Sequence, residues 1–217
     1  MIKFDMGFQF SPNEMKKIIS DIRRGFLSDI RSNLLKAVPH LEQVLPGEIK
    51  KRIKSSDVIQ ELMNGTLRYD LGITKDEAVM ISEKIPDVIS KLLQVRVAIE
   101  GDTTVFLIVE MVKSGYEDLL DISEASFLQT YTQSTPKQID WLKWLLTEGN
   151  NIIISDFRVK YTPDNVKSRS GGAIMIQKGS FRIPPQFSGT EDDNFITRSL
   201  EGIQEFIYSE IQKFINI

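Results

Sequence analysis

The chain lacks several side chains on which common enzyme chemistry depends. It has no cysteine, which excludes disulfides, thiolate metal sites and cysteine nucleophiles. Its single histidine, His40, argues against multi-histidine metal sites and Ser-His catalysis. No apolar run approaches the roughly 18 residues that a membrane helix needs, and residues 1–7 lack the pattern of a secretory signal. We therefore expect a soluble globular chain without a membrane partner.

Motifs that bind nucleotides or activate nucleophiles are also missing from the sequence. It contains no G-x-x-x-x-G-K-[ST], G-x-G-x-x-G, H-E-x-x-H or G-x-S-x-G. Residues 191–194 (Glu-Asp-Asp-Asn) offer oxygen atoms that suit magnesium or calcium. We interpret them instead as a helix cap, because they directly precede an apolar-periodic segment. The sequence therefore predicts no catalytic residue, no metal site and no cofactor.

Charge is segregated along the chain, although the formal net charge is only −3. Residues 16–54 hold 10 basic and 4 acidic side chains, a net of +6, whereas residues 100–150 hold 3 and 9, a net of −6. A basic region can meet nucleic acid or an acidic protein surface. Opposite blocks in one chain can also let identical subunits meet. We take Arg23, Arg24 and Arg31 as candidate interface residues.

The N-terminal third predicts helices. Ser11 and Glu14 form a capping box around Pro12, and Pro39 is expected to end that helix at or before Val38. A shorter helix is expected after Pro46. One face of the first helix is apolar, with Met15, Ile18, Ile19, Ile22, Phe26, Ile30 and Leu34.

The remainder alternates extended and helical patterns. We expect an extended piece over 67–73, a capped helix from Thr74 that is kinked or split at Pro86, and a strand over 104–112 covered on both faces. Later predictions are strands over 126–132 and 150–159, a helix from Thr135 through Leu146, a hairpin turning at residues 178–179, and a helical stripe over 196–215. The fold class is α+β, one domain over 1–217, with long N- and C-terminal helices packed on a mostly antiparallel sheet.

A long polar connection over 160–171 joins two of the predicted strands. Hairpin loops usually have 2–5 residues, so we expect this loop to project from the sheet and to contact a neighbouring subunit. Its basic side chains, Lys160, Lys167 and Arg169, complete the set of candidate interface residues.

Four short stretches resemble virion proteins at the neck of tailed bacteriophages, the tail-completion and head–tail connector group. They are residues 65–68 (Gly-Thr-Leu-Arg), 168–173 (Ser-Arg-Ser-Gly-Gly-Ala), 181–187 (Phe-Arg-Ile-Pro-Pro-Gln-Phe) and 197–200 (Thr-Arg-Ser-Leu). The order of elements around them resembles that group over most of the chain. Residues 100–150 are additional to the pattern.

The resemblance implies a structural protein rather than an enzyme. It implies a ring of identical copies around the tail axis, in contact with portal or adaptor proteins, tail-tube proteins and packaged DNA, without a cofactor. The implied location is the virion, reached from the host cytoplasm during assembly. Three alternatives stay open at this point: a tail terminator that caps the tube, a nucleic-acid-binding accessory protein that uses the basic face of residues 16–54, and a metal-dependent enzyme.

Overall fold

The computed structural model describes residues 11–101, 104–111, 119–120, 130–131, 138–149, 151–152, 154–162 and 168–215. The helices are α1 Pro12–Lys54, α2 Asp57–Asn64, α3 Leu67–Asp70, α4 Lys75–Lys91, α5 Trp141–Leu146, α6 Phe195–Ser199 and α7 Ile203–Gln212. The strands are β1 Leu93–Glu100, β2 Thr104–Met111, β3 Thr130–Tyr131, β4 Gln138–Ile139, β5 Ile154–Tyr161 and β6 Ala173–Phe181. This mixture confirms the α+β class.

The described strands pair with their neighbours in the chain. The pairs are β1 with β2, β3 with β4, and β5 with β6, and the last two are antiparallel. Each pair is a separate two-stranded sheet in the described residues. Two-stranded sheets have little stability of their own.

Helix α1 is longer than the sequence predicts. Its capping box is confirmed, because Glu14 accepts a hydrogen bond from the Ser11 amide at 2.8 Å. The predicted end at Val38 is wrong, because the helix continues through two prolines to Lys54. An interior proline costs about 3 kcal/mol, whereas each fully buried Leu or Ile stabilises by about 1.5–3 kcal/mol. The residues buried along this part of α1 outweigh the prolines: Leu34, Ala37, Leu41, Leu45, Ile49 and Ile53.

The extended piece expected over 67–73 is also wrong. Residues 67–70 form α3, and Leu67 and Leu71 are both buried. A four-residue spacing places two side chains on one helical face. The alternation of apolar residues was therefore produced by a short helix and the turn after it, where Gly72 has φ 68°.

Helix α4 begins at the predicted capping box of Thr74 and Glu77. It is not split, since Pro86 lies inside a continuous helix. The chain then enters β1 at Leu93. Strand β2 is confirmed, but its expected burial on both faces is wrong, because no residue from 104 to 110 is buried and Phe106 is exposed.

Residues 178–179 do not turn a hairpin. They lie inside β6, which continues to Phe181 and pairs with β5 over its length. The register shifts between Ser155 and Phe157, and Asp156 and Lys178 both have φ 72°. This is a β-bulge, in which extra residues bend the strand without ending it. The Lys-Gly pair supplies the left-handed backbone that a hairpin turn would also need.

Other predictions are met in part. The helix expected from Thr135 begins at Trp141, because Gln138 and Ile139 form β4. The strand expected over 126–132 lies mostly outside the described residues. The stripe over 196–215 is divided between α6 and α7, and Gly202 in the connection has φ 71°.

The chain divides into two compact units, and the prediction of one domain over 1–217 stays a prediction. The first unit comprises Met1–Glu42, Gln94–Glu110 and Ile207–Ile217, and the second comprises Gln43–Leu93 and Met111–Phe206. The second unit holds a hydrophobic core built by α2, α4, α5 and α6 together with the end of α1. Trp141 is fully buried there and Trp144 packs against it, as expected for core aromatic residues.

Candidate functional site

The first half of α1 is the most exposed helical surface of the first unit. Every side chain from 11 to 26 is exposed. Short helices in water are marginal, and most helical stability in proteins comes from packing an apolar face. This segment has such a face without any packing over it in the described structure.

Five apolar side chains form that face, which we call the α1 stripe. Their spacing of three and four residues places them on one side of the helix. Their exposed fractions are Met15 44%, Ile18 37%, Ile19 51%, Ile22 67% and Phe26 54%. A contiguous exposed apolar patch marks an interaction site, whereas scattered exposed residues do not. The stripe is therefore the main candidate surface among the residues that the structure describes.

The basic face predicted over residues 16–54 separates into two parts. The first part, Lys16, Lys17, Arg23, Arg24 and Arg31, is exposed and makes no ion pair among the described residues. The second part is engaged within its own chain. Lys54 bonds Glu83 at 2.5 Å, and Arg52 bonds both Glu48 and the carbonyl of Glu201 at 2.8 Å.

Lys50 belongs to the same engaged part. It donates a hydrogen bond to Asp87 at 2.5 Å, and Lys91 donates to the other oxygen of that carboxylate at 2.5 Å. These bonds, first from Lys50 and then from Lys91, lower the pKa of Asp87 to about 2. The second half of the basic face is thus compensated locally and offers less charge to an external partner.

The candidate interface residues lie in different units. Arg23, Arg24 and Arg31 belong to the first unit, whereas Lys160 and Arg169 belong to the second. Lys167 lies outside the described residues. Lys160 is an exposed residue of β5. The roles of all six as interface residues stay predictions.

Both ends of the 160–171 connection are anchored within the second unit. At one end, Tyr161 donates a hydrogen bond to Asp70 at 2.5 Å. At the other end, Arg169 donates to Glu77 at 2.5 Å. Glycine is required at position 172, because a Cβ there would lie 2.5 Å from the ring of Tyr69. The connection is therefore fixed to α3 and to the start of α4.

The Asp70 carboxyl group, which accepts the hydrogen bond from Tyr161, is buried, since Asp70 is only 8% exposed. Burial raises the pKa of Asp70 above its ordinary value, although the hydrogen bond from Tyr161 acts in the opposite direction. Burial and then the bond to Asp70 raise the pKa of Tyr161 to about 12. The raised pKa of Tyr161 keeps its phenol protonated, so the phenol is the donor of the hydrogen bond to the Asp70 carboxyl group.

Glu77 accepts the hydrogen bond from Arg169 at the other end of the connection. Partial burial acts to raise the pKa of Glu77, but the hydrogen bonds from Thr74 and Arg169 outweigh it and hold the pKa below its ordinary value. Glu77 thus serves both the capping box of α4 and the ion pair with the loop residue. Arg68 is held nearby in the chain, where it donates to the Tyr69 hydroxyl at 2.8 Å.

His40 does not lie between two helices, as the predicted helix end at Val38 implied. It is a residue of α1, and its Nε2 donates to Glu210 at 2.6 Å. Its ring also lies 5.3 Å from that of Phe214. Hydrogen bonds from Lys213 and then His40 hold the pKa of Glu210 below its ordinary value. The helix end predicted at Val38 excludes a helical position for His40 and therefore gives no indication of this contact.

The acidic run at 191–194 caps a helix, as interpreted from the sequence. The Asn194 side chain accepts from the amides of Ile196 and Thr197 at 3.0 and 3.2 Å, at the start of α6. Asp193 pairs with Arg198 at 2.5 Å. In the part of the chain that the structure describes, no three His, Cys, Asp or Glu side chains are placed to hold a metal ion.

Helices within the described ranges are too short or too polar to cross a membrane. The chain matches no protein-family model, and comparisons with curated proteins and with solved structures give no match.

Proposed function

We propose that this chain is a non-enzymatic virion protein that forms a ring at the neck of a tailed bacteriophage and joins the head connector to the tail. The observation that carries the proposal is the α1 stripe, an apolar helical face that is exposed in the part of the chain that the structure describes. Burial of apolar area is the main favourable contribution to protein association. A protein whose function is to assemble needs such a surface.

The position of the stretches that resemble neck proteins supports the same proposal. Residues 65–68 lead into α3, residues 168–173 lead into β6, and residues 197–200 lie at the end of α6. The contacts between Tyr161 and Asp70 and between Arg169 and Glu77 fix the base of the long connection to α3 and α4.

The distribution of ion pairs favours assembly over nucleic-acid binding. Lys50, Arg52 and Lys54 are paired with acidic side chains of the same chain. The unpaired part of the basic face shares its helix with Glu14, Asp21 and Asp29, whose charges repel phosphate. Affinity for nucleic acid grows with the number of phosphates neutralised, so this helix is a weak candidate for that role.

Electron microscopy of particles tests the proposal. An antibody against the chain is applied to phage particles released from the strain that encodes it, and a phage lacking the gene is examined in parallel. Label at the neck, with unjoined heads and tails in the deletion, supports a head–tail joining protein. Label at the neck with tails of irregular length indicates a tail terminator. Absence of the chain from purified particles contradicts the proposal.

A further inference from the structure

A short charge pattern is repeated along the exposed half of α1. Residues 14–16 read Glu-Met-Lys and residues 21–23 read Asp-Ile-Arg. Both triplets place an acidic side chain before an apolar residue and a basic one after it. They begin seven residues apart, which is about two helical turns. The two triplets therefore lie above one another on the same side of the helix.

The repeat gives the α1 stripe two flanks of opposite charge. Successive residues are about 100° apart around a helix. Glu14 and Asp21 therefore border one side of the stripe, and Lys16 and Arg23 border the other. All four side chains are exposed. By the same spacing Lys17 and Arg24 point away from the stripe.

We propose that the α1 stripe packs against the α1 stripe of a second copy of this chain, with the two helices parallel and in register. In this arrangement the acidic flank of each helix faces the basic flank of the other, so that Asp21 of one copy lies beside Arg23 of the next. An antiparallel pair would place acidic flank against acidic flank. Flanking charges set partner orientation in this way in coiled coils.

The flanking charges also favour a second copy over the other partners that an apolar helix face can bind. A helix that lies on a membrane carries Lys and Arg on its polar side and gains from anionic lipid. Here Glu14 and Asp21 border the apolar stripe directly and would be repelled by that surface. A copy of the same helix matches both flanks at once, because it supplies both signs.

This inference rests on the proposed function, because both require that copies of the chain associate. It names the surface and the orientation by which two copies meet. Because a contact of one face with the same face closes at two copies, a ring also needs a second contact that joins such pairs. Of the three arginines selected from the sequence, only Arg23 borders the stripe. Arg24 and Arg31 lie close to the opposite line of the helix and are available to another partner.

Charge reversal tests the orientation. The full chain and its variants Asp21→Lys, Arg23→Glu and the double variant are compared by sedimentation equilibrium at low salt. Each single variant places like charges beside one another and is expected to weaken self-association by about tenfold or more. The double variant exchanges the two flanks and is expected to restore association to within about threefold. Lys17→Glu makes the same charge change away from the stripe and is the matched control.

The outcomes separate this inference from the proposed function. Equal effects of Arg23→Glu and Lys17→Glu, or no rescue in the double variant, would overturn the parallel contact. Binding of the chain to vesicles of anionic phospholipid, or to duplex DNA, with loss in Ile22→Gln would overturn it in favour of those occupants. Label at the phage neck together with failed rescue leaves the neck function standing. Successful rescue without a neck location refutes the neck function alone.

Discussion

Replacing Ile22 tests the role of the α1 stripe most simply. Ile22 is 67% exposed, the largest value in the stripe. Complete burial of an isoleucine side chain contributes about 1.5–3 kcal/mol, so covering two thirds of it contributes about 1–2 kcal/mol per copy. A contact between two copies buries it twice, about 2–4 kcal/mol in all. We therefore expect Ile22→Gln to raise the dissociation constant of self-association by about 30- to 1000-fold.

The assay is sedimentation equilibrium over a range of concentrations, with chemical unfolding of the monomer measured alongside. Glutamine is as good a helix former as the flanking residues, and an exposed substitution should change monomer stability by less than about 0.5 kcal/mol. Leu35→Gln is the matched control, because Leu35 is 49% exposed on the same helix but away from the stripe. Equal weakening by both variants would refute the assignment of the stripe as the contact.

Three further predictions concern the second unit. Tyr161→Phe removes the hydrogen-bond donor of the buried Asp70 carboxyl group and should lower the free energy of unfolding by about 2 kcal/mol. Asp70→Asn keeps an oxygen acceptor for the Tyr161 hydroxyl and should lower the free energy of unfolding by less, as urea titrations of both variants at pH 7 would measure. Ion pairing lowers the pKa of Asp87 to about 2, so the stability that Asp87 contributes is complete above its unfolded pKa near 4 and is lost as the pH falls towards 2. Asp87→Asn should therefore reduce the loss of unfolding free energy between pH 4 and pH 2, and an unchanged loss would contradict the role of these ion pairs. Asn194→Ala should cost about 1 kcal/mol as a lost helix cap, and calorimetric binding of magnesium that this variant abolishes would overturn the cap interpretation.

Local signals in the sequence predicted the starts of α1, α4 and α6 correctly. The capping boxes of Ser11 and Thr74 and the cap at Asn194 are each formed by residues within three positions of one another. Their geometry depends little on the rest of the chain, so the sequence is sufficient to place them. The α+β class followed from the same periodic segments.

The wrong predictions concern segments whose structure depends on contacts with residues far away in the sequence. Pro39 signals a helix end, yet burial of the apolar residues on either side of it keeps α1 continuous to Lys54. The Lys-Gly pair at 178–179 signals a turn, but pairing with β5 converts it to a bulge. In the candidate site the sequence located the apolar face of α1 correctly. Only the structure separates its exposed part, 15–26, from the buried part that begins at Leu34.

The parallel contact between α1 stripes is tested most directly by cysteine cross-linking. The chain has no cysteine of its own, so Met15→Cys and Phe26→Cys each introduce one thiol, at opposite ends of the stripe. A disulfide requires Cα atoms within about 7 Å. Parallel helices in register bring each residue beside its own copy, and we predict disulfide-linked dimers for both variants. An antiparallel pair centred on the stripe would separate identical positions by about 16 Å, and cross-linking of neither variant would contradict the account.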